Sequence, residues 1–243
     1  MKPTAVVVGV GSEEGLGAAL ARRFAKEGFH VIVGGRTAEK IERVVKSLGD
    51  GNSTAVQVDA TKEEDVLRLF QTASAPGEGK SPASVVIFNA GNNQYIPFRE
   101  LSGEKFEDFW RVGCLAGFLV GREAVNLLLP QGTGTIIFTG ASASLRGRPG
   151  FAHFSAAKAG LRMLSQSMAR EFGPQGLHVA HVVIDGGING TKLKSILPGI
   201  LDQRGLDGLL NIDAIAETYW QLHLQHPTAW THEIDLRPFK ESF

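Results

Sequence analysis

The sequence predicts an α/β fold, a doubly wound parallel sheet in a single domain spanning residues 1–243, on three observations. Apolar, β-branched runs alternate with amphipathic helical stretches along the chain, the first run passes into a glycine-rich turn, and the length suffices for one large core. The first run, residues 4–9, is apolar throughout, as expected of a strand covered on both faces. From Gly15, residues Leu16, Leu20 and Phe24 form one helical stripe, and Gly28 ends it. A second strand (29–35) precedes a helix with Ile41, Val44, Val45 and Leu48 at helical spacing after a Thr37 cap. A third strand ends at Asp59, and Thr61 with Glu64 reads as a capping box opening a helix to Phe70. Residues 73–84 read as a surface loop before a fourth strand, 85–89. The spacing then predicts a long helix from Glu104 to Leu129, a strand at 134–140, a helix through 155–172, a strand at 177–184, a helix from Asp213 to Leu224 and a last strand at 231–236.

Composition narrows the partners. With 25 basic and 25 acidic side chains interspersed, the chain carries no footprint for nucleic acid or anionic lipid. Cys114 is the only cysteine, which excludes an intrachain disulfide and suits a reducing compartment such as the cytoplasm. The first strand begins by Thr4, leaving no room for a secretory leader, and no apolar stretch is expected to reach the roughly 20 residues of a bilayer span.

Glycines 9, 11, 15 and 17 stand between the first strand and the first helix. There, glycine lets the backbone approach a diphosphate closely, and the amides and dipole of the helix N-terminus favour an anion. The site expected is one for a dinucleotide.

The G-x-x-x-G-x-G spacing of Gly11, Gly15 and Gly17 resembles the cofactor loop of the short-chain dehydrogenase/reductase family, with Val10 where that family carries Thr. Asn89-Ala90-Gly91 resembles the family's Asn-Ala-Gly, Asp59 its adenine-contacting acid, and Phe154-Ser-Ala-Ala-Lys158 its Tyr-x-x-x-Lys helix. The resemblance implies a Rossmann-type sheet with a cofactor half to about residue 140 and a catalytic half beyond it. It implies a nicotinamide dinucleotide held by Gly11, Ser12, Gly15, Leu16 and Gly17, by Asp59 and Ala60, by Asn89, Ala90 and Gly91, and by Lys158. Arg36 follows the second strand where NAD-preferring relatives place an acid, and a guanidinium suits a 2′-phosphate, so NADP is expected over NAD. Glu14 argues the other way unless its carboxylate points off the phosphates.

The catalytic constellation is incomplete. Phe154 stands at the family's tyrosine and has no ionisable group; Ala141 stands at its serine and Cys114 at its asparagine. Ile184-Asp185-Gly186 replaces Asn-Pro-Gly, and Thr191 falls near the family's carboxamide-binding threonine. Lys158 alone is retained. The candidate substitutes for the missing catalytic groups are Ser142, a near miss at a strand end, and His153, a helix neighbour of Phe154 expected to be partly exposed. Tyr95 is expected to pack in its loop. His178 and His181 leave opposite faces of a strand, while His223 and His226 share a helix and His232 lies on the last strand, so no metal set is expected. Phe106, Phe109 and Trp110 form an apolar stripe that favours a homodimer or homotetramer. Residues 187–208 are expected to cover the cleft. Two functions remain open, an NAD(P)-dependent oxidoreductase on an alcohol or carbonyl, and a dinucleotide-binding sensor, scaffold or subunit without turnover.

Overall fold

The computed structural model describes residues 1–49 and 51–241. Strand β1 (Lys2–Val8) leads through the glycine loop to α1 (Leu16–Lys26), then β2 (His30–Gly35), α2 (Ala38–Ser47), β3 (Ser53–Gln57), α3 (Glu63–Ser74) and β4 (Lys80–Phe88). The helical run α4 (Gly103–Trp110), a π turn (Arg111–Leu115) and α5 (Ala116–Leu128) follows. Then come β5 (Gly134–Thr139), α6 (Ala152–Phe172), β6 (Leu177–Ile184), the short α7 (Thr191–Ile196) and α8 (Ile200–Arg204), α9 (Ile212–His223) and β7 (Glu233–Leu236).

All seven strands are parallel, in the order β3-β2-β1-β4-β5-β6-β7. The order reverses between β1 and β4, which opens a crevice at their carboxyl ends. Alternation along β1 explains the two cores. Ala5 and Val7 face α1, α2 and α9 through Leu20, Phe24, Ile41, Ile215 and Tyr219. Val6 and Val8 face α3, α5 and α6 through Leu69, Val120, Ala124 and Leu161. The first layer closes on an aromatic cluster, in which Phe24 meets Phe29 and Trp220 edge to face at 5.5 and 5.3 Å.

The structure departs from the sequence expectations at several boundaries. No capping box opens α3: Lys62 is its N-cap residue, and the Thr61 hydroxyl instead donates to Asp59 Oδ1 at 2.8 Å. A β strand needs a partner more than a composition, so β4 starts at Lys80, inside the Ser/Pro-rich stretch, where Lys2 offers pairing. β3 ends at Gln57, leaving Asp59 beyond the sheet. The long helix carries a π turn at its middle. The run Gly103–Gln131 is also long and apolar enough to cross a bilayer by length and composition, contrary to expectation. Half of its most apolar stretch is buried, with α5 packed on β4 and β5.

Phe24 is fully buried between α1 and α9. Phe24→Ala is therefore expected to cost about 3–5 kcal/mol, read from the urea midpoint with an unchanged slope.

Candidate functional site

The crevice floor is backbone. Gly9 has φ +93°, and a Cβ there would fall 2.4 Å from the Ala90 nitrogen; one on Gly17 would fall 2.9 Å from Val10 Cα. Glycine at both positions lets the glycine loop lie flat on the end of β4. The Gly9 and Val10 amides both donate to the Gly34 carbonyl at 2.9 Å, and Gly15 donates to Ser12 O at 3.0 Å. Nothing lies within 4 Å of the Cβ position of Gly11, so that residue opens into the groove. Helix α1 begins without a side-chain cap and without an acidic residue in its first turn. Its Leu16 and Gly17 amides have no carbonyl one turn back to accept from them, the arrangement that suits a helix N-terminus to an anion.

Asn89 fastens the strand ends together. Its amide N–H donates to Val8 O at 2.8 Å, its Nδ2 donates to Gly9 O at 3.2 Å, and its Oδ1 accepts from the Thr139 hydroxyl at 3.1 Å. With that proton given to Asn89, Thr139 Oγ1 accepts from the Tyr219 hydroxyl at 2.8 Å. Burial pushes the Tyr219 pKa up, against the opposing effect of the Thr139 bond, so this phenol acts as a fixed donor. The Thr139 carbonyl in turn accepts from Lys158 Nζ at 2.8 Å. Lys158 is buried beside Gly91, where a Cβ would stand 3.5 Å from Nζ. Burial, and next the charge of Lys192, lower its pKa to about 8.

Phe154 lies one turn before Lys158 on α6 and is half-buried. His153 differs from expectation. It is completely buried, its ring lies 4.2 Å edge-on from Phe109, and its Nε2 is 3.1 Å from Gln94 O. A carbonyl only accepts, so Nε2 carries the proton, and burial lowers the pKa of the ring. Phe109, expected on an exposed stripe, is buried by the same contact, while Phe106 and Trp110 stay partly exposed.

Arg146 Nη2 donates to both carboxylate oxygens of Asp185 at 2.8 and 3.0 Å, Arg237 meets the same carboxylate at 3.1 Å, and the Ser142 side chain lies beside it. Burial works to raise the Asp185 pKa, but Ser142, Arg146 and Arg237 together hold it low. Cys114 sits in the π turn with its sulfur against Gly160, and burial raises its pKa. Ala141 is the last residue before the turn at Ser142, and Tyr95 is exposed with an edge contact to Phe151.

Beyond the carboxyl ends of β2 and β3 an open depression of about 350 Å³ is lined by Arg36, Gln57, Asp59, Lys62, Asp65 and Arg68. Asp59 Oδ1 is bonded to Thr61 and its amide to Asp65, while Arg68 pairs with Asp65 at 2.7 Å. Ala60 is buried beside them. Among the described residues no carboxylate lies within 4.0 Å of Arg36. Across the cleft, α7 approaches the glycine loop: Thr191 N–H donates to Glu14 O at 3.2 Å, and the exposed Glu14 carboxylate turns to Lys194 at 4.0 Å.

The other histidines hold the fold together. His178 stacks on Trp230 and bonds to Thr231 O, and His223 ends α9 against Thr135. His226 lies outside that helix, and His232 precedes β7 rather than lying on it. His181 Nδ1 is 2.9 Å from Glu233, which pairs with Arg162; burial takes the ring's pKa down to about 4. Thr139, Tyr219, Arg146 and Arg237 escaped the sequence reading because their partners lie 39 to 80 residues away along the chain.

The family model for short chain dehydrogenases matches residues 4–197. An oxidoreductase of Sarocladium schorii is 31% identical over 176 residues, 72% of this chain and 68% of its own. The crystal structure of a short-chain dehydrogenase from Rhodopseudomonas palustris is 38% identical, with a TM-score of 0.80 over 98% of this chain and 99% of that one. A variant of actinorhodin polyketide ketoreductase solved with NADPH shares the fold at a TM-score of 0.86 and 21% identity, covering 98% and 96% of the two chains. With its switch-point crevice, its glycine loop and these relatives, the chain belongs to the short-chain dehydrogenase family, oxidoreductases with an NAD(P)-binding fold.

Proposed function

We propose that this protein binds NADP in preference to NAD and lacks the proton donor its relatives use on an alcohol or carbonyl. The observation that carries the binding is the uncapped first turn of α1, opening on a groove whose far end holds the Lys158 ammonium. In this reading the amides of Gly11, Ser12, Gly15, Leu16 and Gly17 receive the diphosphate. Asp59 and Ala60 border the adenine, Asn89-Ala90-Gly91 walls the groove, and Lys158 donates to the ribose beside the nicotinamide. Arg36, with no carboxylate of its own, is suited to the 2′-phosphate, and the NADPH bound by the polyketide ketoreductase fits the same choice. A bound nicotinamide supplies the hydride chemistry; the chain's own groups must supply the proton.

That supply is where the site is poor. Phe154 has no proton to give, the Ser142 hydroxyl lies beside the Asp185 carboxylate, and the His153 N–H is spent on Gln94 O. This favours a binding role, as sensor, scaffold or subunit, over turnover of the usual kind. One observation supports a second reading. With a pKa of about 8, the Lys158 ammonium is itself a usable acid near neutral pH, which allows slow carbonyl reduction without a tyrosine. Exposed Phe106, Trp110 and Phe118 on the α4 to α5 run, with Met163 on α6, fit a homo-oligomer, and the free thiol of Cys114 fits the cytoplasm.

Titration of the protein's fluorescence should show tighter binding of NADPH than NADH, and Arg36→Gln should remove most of that difference; binding of neither dinucleotide defeats the assignment. Phe154→Tyr with Ala141→Ser should raise turnover of NADPH on a carbonyl panel from near background, and unchanged rates would mean that more than the acid is gone. Lys158→Met should weaken NADPH binding yet resist urea better at pH 7, by well under roughly 3 kcal/mol, since relief of the buried ammonium is partly offset by the Thr139 carbonyl left without its donor. Between pH 8 and 10.5 the folded protein sheds that proton while the unfolded chain keeps it, so wild-type stability rises and the gap to the variant should narrow.

A further inference from the structure

One cation over this groove has no role in the account above. Lys192 is the second residue of α7, and the start of α7 is fastened to the glycine loop. Thr191 N–H donates to Glu14 O at 3.2 Å, and a Cβ on Gly190 would fall 2.8 Å from the same oxygen. From this anchor, next to Gly15 and the first turn of α1, the exposed Lys192 side chain crosses to the opposite wall. There its Nζ donates to Asn92 Oδ1 at 3.3 Å, one residue past Asn89-Ala90-Gly91.

The charges that act most on it are positive. Desolvation and then the charge of Arg36 lower the Lys192 pKa, and Lys192 in turn is the one charge that lowers the pKa of Lys158. Lys192 thus feels, or is felt by, both Arg36 and Lys158. Among the described residues no carboxylate lies within 4.0 Å of Lys192, Arg36 or Lys158. Lys194, two residues on, is the contrast, because its ammonium is already turned to Glu14. A neutral amide oxygen is a weak partner for an ammonium that has two like charges beside it. A group carrying more than one negative charge, seated on the free amides of α1, is a far better one.

We propose that Lys192 grips the diphosphate bridge of the dinucleotide, giving up Asn92 for the phosphate oxygens and drawing α7 down over the groove. The inference rests on the dinucleotide reading above and adds to it a cation from the far half of the chain. Both dinucleotides share the diphosphate, so the role is separable from that of Arg36. In fluorescence titrations Lys192→Gln should weaken NADH and NADPH by the same factor, about tenfold. Lys192→Arg should recover most of it. The slope of log Kd against log salt should fall for Lys192→Gln with both ligands. Equal binding by Lys192→Gln and wild type overturns the role while leaving the dinucleotide site standing. A loss confined to NADPH overturns it in favour of a 2′-phosphate contact. A wild-type protein that binds neither dinucleotide removes the site and this role together.

Discussion

The structure depends on a junction of hydrogen bonds at the carboxyl ends of three strands. Asn89 holds Val8 and Gly9 of the first strand's end, Thr139 holds Asn89, and Tyr219 and Lys158 reach Thr139 from helices on opposite faces of the sheet. Buried polar groups of this kind are costly unless every partner is present, which ties the position of the glycine loop to that of Lys158. The groove between them is therefore set by the sheet itself. Anything bound there meets preplaced amides at one end and a preplaced ammonium at the other.

Binding and chemistry draw on different parts of this arrangement. In the proposed reading the binding groups are main-chain amides and a lysine anchored on the junction. The groups that would move a proton sit above it, on the turn after β5 and the first turn of α6, and there the side chains have been drawn into other bonds. Ser142 lies beside the Asp185, Arg146 and Arg237 cluster, and His153 packs on Phe109. A phenylalanine at position 154 therefore leaves the floor of the cleft untouched.

Much of this was legible in the residues. The alternation of apolar runs with 3.6-residue stripes foretells the doubly wound sheet, because each pattern reports which faces are covered. Gly9 and Gly17 announce their close contacts through the absence of a side chain. The fit is poorest where a long-range partner outweighs a local preference. Lys80 joins β4 because Lys2 is there to pair with it, and Thr61 turns to Asp59 instead of capping α3. His153 reads as a surface residue by type but is buried, since a single bond to Gln94 O and the face of Phe109 suffice to cover it. Lys192 escaped notice because nothing adjacent to it in the chain marks it; only the meeting of α7 with residues near 14, 36, 92 and 158 does.

The contact of Gly9 with Ala90 has a consequence for how such a protein can change over generations. Where two backbones touch, no side chain exists to be exchanged, and substitution is resisted whatever the protein does. Drift is pushed outward to the rim, where a phenylalanine can replace an acid at little cost to folding. The floor of the crevice can thus outlast repeated change at its rim.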